Sequence, residues 1–359
     1  VTLQAPGKSK ELPGLASRGA ALVLGCFLAL LFLGIAEFAA RVILSKQERP
    51  FDRKYPSSYF VTDVHGIIKA NPGGHYRSSS RRTKDGSVIY DVAYTTDQFG
   101  RRLTPTASPE PRSRHLIFFG CSFTFGEGVQ DGETIPAQAA LGLAGHQPHN
   151  YGFHGHGTSH MLRKMQSQTL QHEVSEKEGA LVYLFLDFHI SRVIGSMRWV
   201  AGSGKLHPYY DLNARGHVAD EGSFVQGRPF LQRVYERFSK SALLGLFGVD
   251  FPPVIADRHI HLTARIIGEA RDQYREQFPL GEFYVVIYPS SLHGDKLVRE
   301  LKDRDIKILD YSKLFDRHDP KYILAAEDHH PNALAYELVG RRLAHDLREA
   351  AGPRTSGGQ

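Results

Sequence analysis

Apolar and polar positions are distributed very unevenly along this chain. Gly19 to Ala36 carry no charge at all, and Glu37 ends the run. Beyond it the apolar pattern resumes through Phe38, Ala39, Ala40, Val42, Ile43 and Leu44. About 20 apolar helical residues cross a bilayer core, so residues 19–44 predict a transmembrane helix. Glu37 and Arg41 have the i, i+4 spacing and the order that favours an ion pair at the helix's far end. Lys8, Lys10 and Arg18 precede the span and suggest a short cytoplasmic tail over residues 1–18. Lys46, Arg49, Arg53 and Lys54 beyond it weaken that asymmetry. No small-x-small cleavage site follows the run, so the expectation is an uncleaved signal anchor in a single-pass membrane protein. That topology puts the rest of the chain in the periplasm or outside the cell.

Residues 45–112 read as an extended, β-rich lead-in and linker. Val88–Thr96 is rich in β-branched and aromatic residues and ends at the turn-forming Asp97-Gln98-Phe99-Gly100. Arg77–Lys84 is strongly basic and reads either as a solvated loop or as a contact for acidic headgroups or an anionic glycan. From His115 the texture changes. Short apolar runs at 115–120, 180–186, 283–289 and 306–310 are spaced like buried parallel strands. Helical patterns occupy about 157–175, 256–278, 292–303 and 331–349 between and after them. This alternation predicts an α/β domain over 113–350 with a parallel sheet between helical layers. Residues 195–250 interrupt it as an insertion near the site. A hairpin is expected around Tyr209–Leu212 and Gly216–Val218, then one amphipathic helix from Pro229 to about Leu246. A polar tail, 351–359, reads as disordered.

Composition narrows the classes. The chain has 359 residues, 41% of them hydrophobic, which is ample for a core. Its 44 basic and 38 acidic residues leave a net charge of +6, too modest for a dedicated nucleic-acid binder, and no nucleic-acid partner is expected. Two cysteines, Cys26 and Cys121, exclude a disulfide framework or a four-cysteine zinc site. Gly120-x₅-Gly126 lacks the Lys-Ser/Thr of a phosphate loop. His154, His156 and His160 have tempting spacing, but no nearby Cys or carboxylate completes a metal set, so neither metal nor cofactor is expected.

Three short stretches carry candidate chemistry. Gly120-Cys121-Ser122-Phe123-Thr124-Phe125-Gly126-Glu127-Gly128 directly follows the first buried strand. A serine there either exposes its hydroxyl over the sheet's carboxyl edge or caps a helix. Asn150-Tyr151-Gly152-Phe153-His154-Gly155 is a glycine-rich loop. Its N–H groups can face an oxyanion, or it is an ordinary entry into a helix. Glu327-Asp328-His329-His330-Pro331-Asn332 precedes the last helix. It pairs a carboxylate with a histidine, or merely caps that helix.

Together the three blocks resemble the SGNH, or GDSL-type, hydrolase family, over about residues 113–350. The resemblance implies a flavodoxin-like three-layer α/β/α sandwich and an esterase, lipase, deacetylase or O-acyltransferase activity. It implies Ser122 as nucleophile, His330 as general base and Asp328 as its orienting carboxylate. Ser122 and Gly155 would supply oxyanion-hole N–H groups. Tyr94-Thr95-Thr96-Asp97 and Gly100-Arg101-Arg102 are also similar to bacterial membrane-anchored members, a weaker match over about 55–105.

Three departures stand out. Cys121 replaces the family's usual Asp before the nucleophile. Asp187 stands where an Asn normally completes the oxyanion hole, and an ionised carboxylate only accepts hydrogen bonds. Loss of one such donor costs about 10²–10³ in rate, unless His189 or Arg192 takes its place. Glu327, three residues before His330, competes with Asp328 for the orienting role. The implied function is a membrane-anchored serine esterase acting on an acyl ester of a carbohydrate or lipid. The alternatives are an O-acyltransferase on an envelope polysaccharide and a non-catalytic glycan-binding module with a degenerate site.

Overall fold

A computed structural model describes residues 15–47, 49–64, 66–106, 111–302 and 304–350. The 351–359 tail, residues 1–14 of the basic N-terminal tail and 107–110 of the linker lie outside the described residues. The chain divides into two compact units. One is the N-terminal helix with Arg237–Val249; the other is Arg49–Glu236 with the chain from Asp250 onward.

In the first unit the apolar run is one helix, Leu15–Ser45. Its Gly19–Ser45 portion is long and apolar enough to cross a membrane, and its apolar window is unburied by protein. At about 1.5 Å per residue, 27 residues span about 40 Å. The Glu37–Arg41 pair forms at 2.8 Å. Glu37 also accepts hydrogen bonds from Ser241 Oγ at 2.8 Å and from the Ala242 and Leu243 N–H groups at 2.8 and 3.0 Å. It thereby caps a short helix, Ala242–Leu246. The single amphipathic helix expected over 229–246 is therefore two helices, Pro229–Phe238 and Ala242–Leu246. The break falls at Ser239–Ser241, where the Ser241 hydroxyl accepts from the Leu244 N–H and caps the start of the second helix.

Among the described residues the second unit has fourteen strands. The lead-in contributes β1 (Phe51–Lys54), β2 (Phe60–Thr62), β3 (Ile68–Ala70), β4 (His75–Arg82) and β5 (Val88–Thr95). β1, β4 and β5 form an antiparallel sheet in that order, and β2 pairs with β3. The basic stretch expected as a loop, Arg77–Lys84, is mostly strand β4. Its small serines, Ser78 and Ser80, alternate inward while Arg77 and Arg81 face water. Arg77 pairs with Asp91 on β5, so this part of the run is an exposed sheet face.

The main sheet comprises β6 (Arg114–Phe119), β7 (His146–Asn150), β8 (Glu178–Phe185), β11 (Leu280–Ile287) and β12 (Lys307–Asp310). All pairings are parallel, in the order β12-β11-β8-β6-β7. Helices Thr158–Gln166, Asp257–Gln277 and Gly294–Leu301 cover one face, and Ile135–Leu141 and Ala333–Ala350 the other. Burial of both sheet faces explains why β6 is apolar from Leu116 to Phe119. Ile117 and Phe119 join one core, Leu116 and Phe118 the other. The fold is the expected α/β/α arrangement.

The insertion hairpin is present as β9 (Pro208–Leu212) and β10 (Val218–Ser223). Near the C-terminus β13 (Ile323–Ala325) pairs with β14 (Asp328–Pro331). A third core of Tyr59, Tyr76, Tyr90, Val92 and Tyr94 packs on Phe125 and Phe153, joining the lead-in strands to the loops after β6 and β7.

Candidate active site

The strand order reverses around β6: the chain proceeds from β6 to β7 on one side, then crosses to β8 on the other. The crevice at the carboxyl ends of β6 and β8 is where open α/β sheets bind ligands. Ser122 and Asp187 follow those two strands directly.

Backbone geometry puts Ser122 at this edge. Gly120 ends β6, and a Cβ there would come within 2.0 Å of Thr124 Oγ1, so the close turn needs glycine. Cys121 is extended and fully buried, and Ser122–Phe125 form one helical turn after it. Ser122 opens that turn, where a backbone N–H has no intrahelical acceptor. Two side chains pin the turn. Asn150 Nδ2 donates to Thr124 O at 3.1 Å, and its Oδ1 accepts from the Gly152 N–H at 3.0 Å. Arg102, fully buried, donates to Phe125 O at 3.0 Å, Val129 O at 2.6 Å and Asp131 at 2.9 Å.

The structure brings Ser122, His330 and Asp328 into one hydrogen-bonded line. Ser122 Oγ lies 2.9 Å from His330 Nε2, and His330 Nδ1 lies 2.6 Å from Asp328 Oδ1. Asp328 and His330 are two residues apart on strand β14 and so share one face, and Asp328 also accepts from the His330 backbone N–H at 3.3 Å. Burial alone would raise the Asp328 carboxyl. The hydrogen bond and charge of His330, together with Arg53, outweigh it and hold the group below the usual carboxylate range. Glu327 does not join this line; it pairs with Arg82 at 3.1 Å.

Gly155 sits in the loop after β7 with φ +75°, and a Cβ there would come within 3.2 Å of Trp199 Cη2. That left-handed backbone and the indole both favour glycine. Trp199 belongs to the 195–250 insertion, which thus reaches the loop.

The accessory residues have other partners. Asp187 turns away and accepts from Ser291 Oγ at 2.7 Å and from the Leu292 and His293 N–H groups at 2.7 and 3.1 Å. The carboxylate therefore ties β8 to the loop after β11. His189 is wholly buried, with Nδ1 against Tyr183 Oη at 2.8 Å. Burial, then the Arg192 charge, push it well below the usual imidazole range, so it is neutral near pH 7. The Arg192 guanidinium stacks on the Phe188 and Trp199 rings at 4.4 and 4.9 Å and donates to His156 O.

The His156 and His160 rings stack with centroids 4.2 Å apart, but their Nε2 atoms have separate protein partners and His154 turns to Glu127. His154 Nδ1 lies 2.6 Å from Glu127 and its Nε2 lies 2.9 Å from Tyr59 Oη. His156 Nε2 bonds Ile68 O at 2.7 Å, and His160 Nε2 bonds His207 Nδ1 at 2.6 Å. Burial pushes His156 down to about 3 and His207 to about 4.

Two residues that the sequence motifs do not single out complete the surroundings. Glu127 is fully buried and accepts from Tyr55, Tyr90 and Tyr94 hydroxyls at 3.0, 2.5 and 3.2 Å. Burial would raise this carboxyl; His154, then Arg53 and His330, hold it well below the usual range instead. Arg53, on β1, donates from Nη2 to Asp328 Oδ2 at 2.6 Å. No motif marks Arg53, though Glu127 is the only charge in an apolar and glycine stretch, which is a signal of a buried, partnered carboxylate.

Neither a protein-family model nor a curated protein sequence matches the chain. Solved structures with a similar course include a member of the lipolytic G-D-S-L family from Veillonella parvula. It is 14% identical, over 65% of this chain and 97% of that one, with a TM-score of 0.36. A family 2 carbohydrate esterase with a carbohydrate-binding domain, from Myceliophthora fergusii, is 14% identical over 84% of this chain and 87% of its own, with a TM-score of 0.39. A family two carbohydrate esterase from Clostridium thermocellum, in complex with cellohexaose, is 11% identical over 71% and 68%, with a TM-score of 0.39.

Proposed function

We propose that this protein is a serine esterase of the SGNH type, tethered to a membrane by residues 19–44 and acting on an acyl ester of a carbohydrate or lipid. The observation that carries this reading is the continuous line from Ser122 Oγ through His330 to Asp328 at 2.9 and 2.6 Å. Such a line is what a hydroxyl needs to become a nucleophile at neutral pH.

In the proposed reaction His330 Nε2 takes the Ser122 proton as Oγ attacks the ester carbonyl. The Ser122 and Gly155 N–H groups stabilise the tetrahedral oxyanion. Collapse breaks the bond to the alcohol, which leaves with the proton from His330. Water, deprotonated by the same imidazole, then releases the acid and regenerates Ser122. Asp328 holds the imidazole with Nε2 toward Ser122 throughout. With Asp187 committed to the loop at 291–293, two backbone donors form the proposed oxyanion hole.

The membrane tether is supported by the unburied apolar helix Gly19–Ser45. The catalytic part would then lie in the periplasm or outside the cell. The test is hydrolysis of p-nitrophenyl acetate and of acetylated oligosaccharides by the full-length protein in detergent. Ser122→Ala is expected to lower kcat at least 10³-fold with an unchanged Tm. A variant that hydrolyses as fast as the parent contradicts the reading.

A further inference from the structure

Strand β1 has the sequence Phe51-Asp52-Arg53-Lys54, and its residues alternate between half-buried and exposed. Arg53 therefore faces inward while its two charged neighbours face water. β1 pairs antiparallel with β4, Arg53 opposite Ser80, which fixes the strand's register.

The inward guanidinium reaches two carboxylates. Nη2 donates to Asp328 Oδ2 at 2.6 Å, leaving Oδ1 for His330 Nδ1 at 2.6 Å. Nε lies 3.6 Å from Glu127 Oε1. The Phe51 and Tyr90 rings lie 5.4 and 5.9 Å from the guanidinium carbon. Both carboxylates are almost wholly buried, and only a fifth of the Arg53 side chain is exposed. Charges of alternating sign, Glu127, Arg53 and Asp328, therefore lead up to the His330 ring.

We propose that Arg53 is a positioning residue for the Ser122–His330–Asp328 triad, so that lead-in strand β1 is a working part of the active site. This rests on the esterase reading of the same site. An Asp carboxylate held by one bond can rotate about its χ2; held at both oxygens, it presents Oδ1 to the imidazole in one plane. Glu127 balances the added cation, so the guanidinium stays in place without overwhelming the field at the imidazole. Arg53 Nη2 also lies 3.4 Å from His330 Nδ1, close enough for its charge to oppose imidazolium formation directly.

The groups facing His330 set the sign of the effect. Asp328 comes from its own strand, Arg53 from β1, Ser122 and the Phe123 ring from the helical turn after β6, and Glu127 acts by charge from the following loop. Removing this cation leaves the Asp328 carboxylate beside His330 without its guanidinium partner, which favours the protonated imidazole. The acid limb of kcat/KM then moves to higher pH.

The experiment uses the full-length protein in detergent with p-nitrophenyl acetate. Arg53→Met keeps the side chain's length without its charge. It is expected to lower kcat about 10- to 100-fold at constant KM and to raise the acid limb by about one pH unit. Arg53→Lys restores a cation but not a planar two-carboxylate grip. It is expected to return the acid limb to the parent's pH while kcat stays about tenfold low. Should Arg53→Met fail to fold by its Tm, Arg53→Lys decides. Parent-like kcat in Arg53→Lys, or a folded Arg53→Met with parent-like kcat and pH limb, overturns the proposal. Ser122→Ala, run in parallel, separates the cases: an active Ser122→Ala fails the esterase reading, whereas an inactive one with an unaffected Arg53 variant fails this inference alone.

Discussion

The Glu127 carboxylate and the His154 ring nitrogen Nδ1 meet at 2.6 Å, joining the loop after β6 to the loop after β7. Three tyrosine hydroxyls from the lead-in donate to the same carboxylate. The Ser122 loop, the Gly155 loop and the lead-in are therefore locked around one buried negative charge.

Glu127→Gln tests that lock. An amide would present an N–H₂ to donors that need an acceptor, and the buried Arg53 would lose a counter-charge. Breaking one partner of a buried ionic cluster costs about 3–5 kcal/mol, so denaturant unfolding should show a loss of that order. The sign with pH follows from linkage. A folded-state carboxyl held below its unfolded value near 4.3 stabilises fully above about pH 5. That contribution is lost as pH falls from there through the depressed folded value. The gap between parent and variant should therefore be widest at neutral pH and shrink below about pH 4.

Gly155→Ala should combine a stability cost with a rate cost. A left-handed non-glycine residue loses about 1–2 kcal/mol, and the new methyl presses on Trp199. Movement of the Gly155 N–H should lower kcat at least tenfold. Parent-like kcat in a destabilised variant would remove Gly155 from the oxyanion hole.

Asp187→Asn introduces the amide that the SGNH resemblance leads one to expect at this position, yet no gain in activity is expected. The carboxylate serves three donors at residues 291–293, and an amide can accept through only one oxygen. Stability should fall by about 1 kcal/mol with kcat within twofold of the parent. A tenfold rise in kcat would show that position 187 faces the oxyanion after all.

Glu37→Ala should loosen the short helix that Glu37 caps. Loss of a cap costs about 0.5–2 kcal/mol, so amide exchange at Ala242 and Leu243 should accelerate about tenfold in detergent. Unchanged exchange would show that Ser241 alone sustains the helix end.

Much of the fold was legible because buried parallel strands are apolar on both faces. The runs at 115–120, 180–186, 283–289 and 306–310 all became strands of the main sheet. β7 escaped because His146-Gln147-Pro148-His149-Asn150 is an edge strand with two histidines and a proline, paired along its length with β6 alone and bridged on its other side at Asn150 by Arg102. β4 escaped because its inward positions are serines, not hydrophobes. Ser122, Asp328 and His330 stand out in the sequence because each lies in a short motif, and the last two sit on one face of a single strand. Arg53 does not, because its contact with Asp328 spans 275 residues and depends on a register that only the folded sheet supplies. The role of Asp187 was hidden likewise: its partners at 291–293 come from a different strand's end.

Covalent labelling tests the central claim most directly. The full-length protein in detergent is treated with a fluorophosphonate, and the modified peptide is located by mass spectrometry. The expected result is one adduct, on Ser122, that is absent in Ser122→Ala and strongly slowed in His330→Ala. An unlabelled parent protein, or equal labelling of Ser122→Ala, would contradict it.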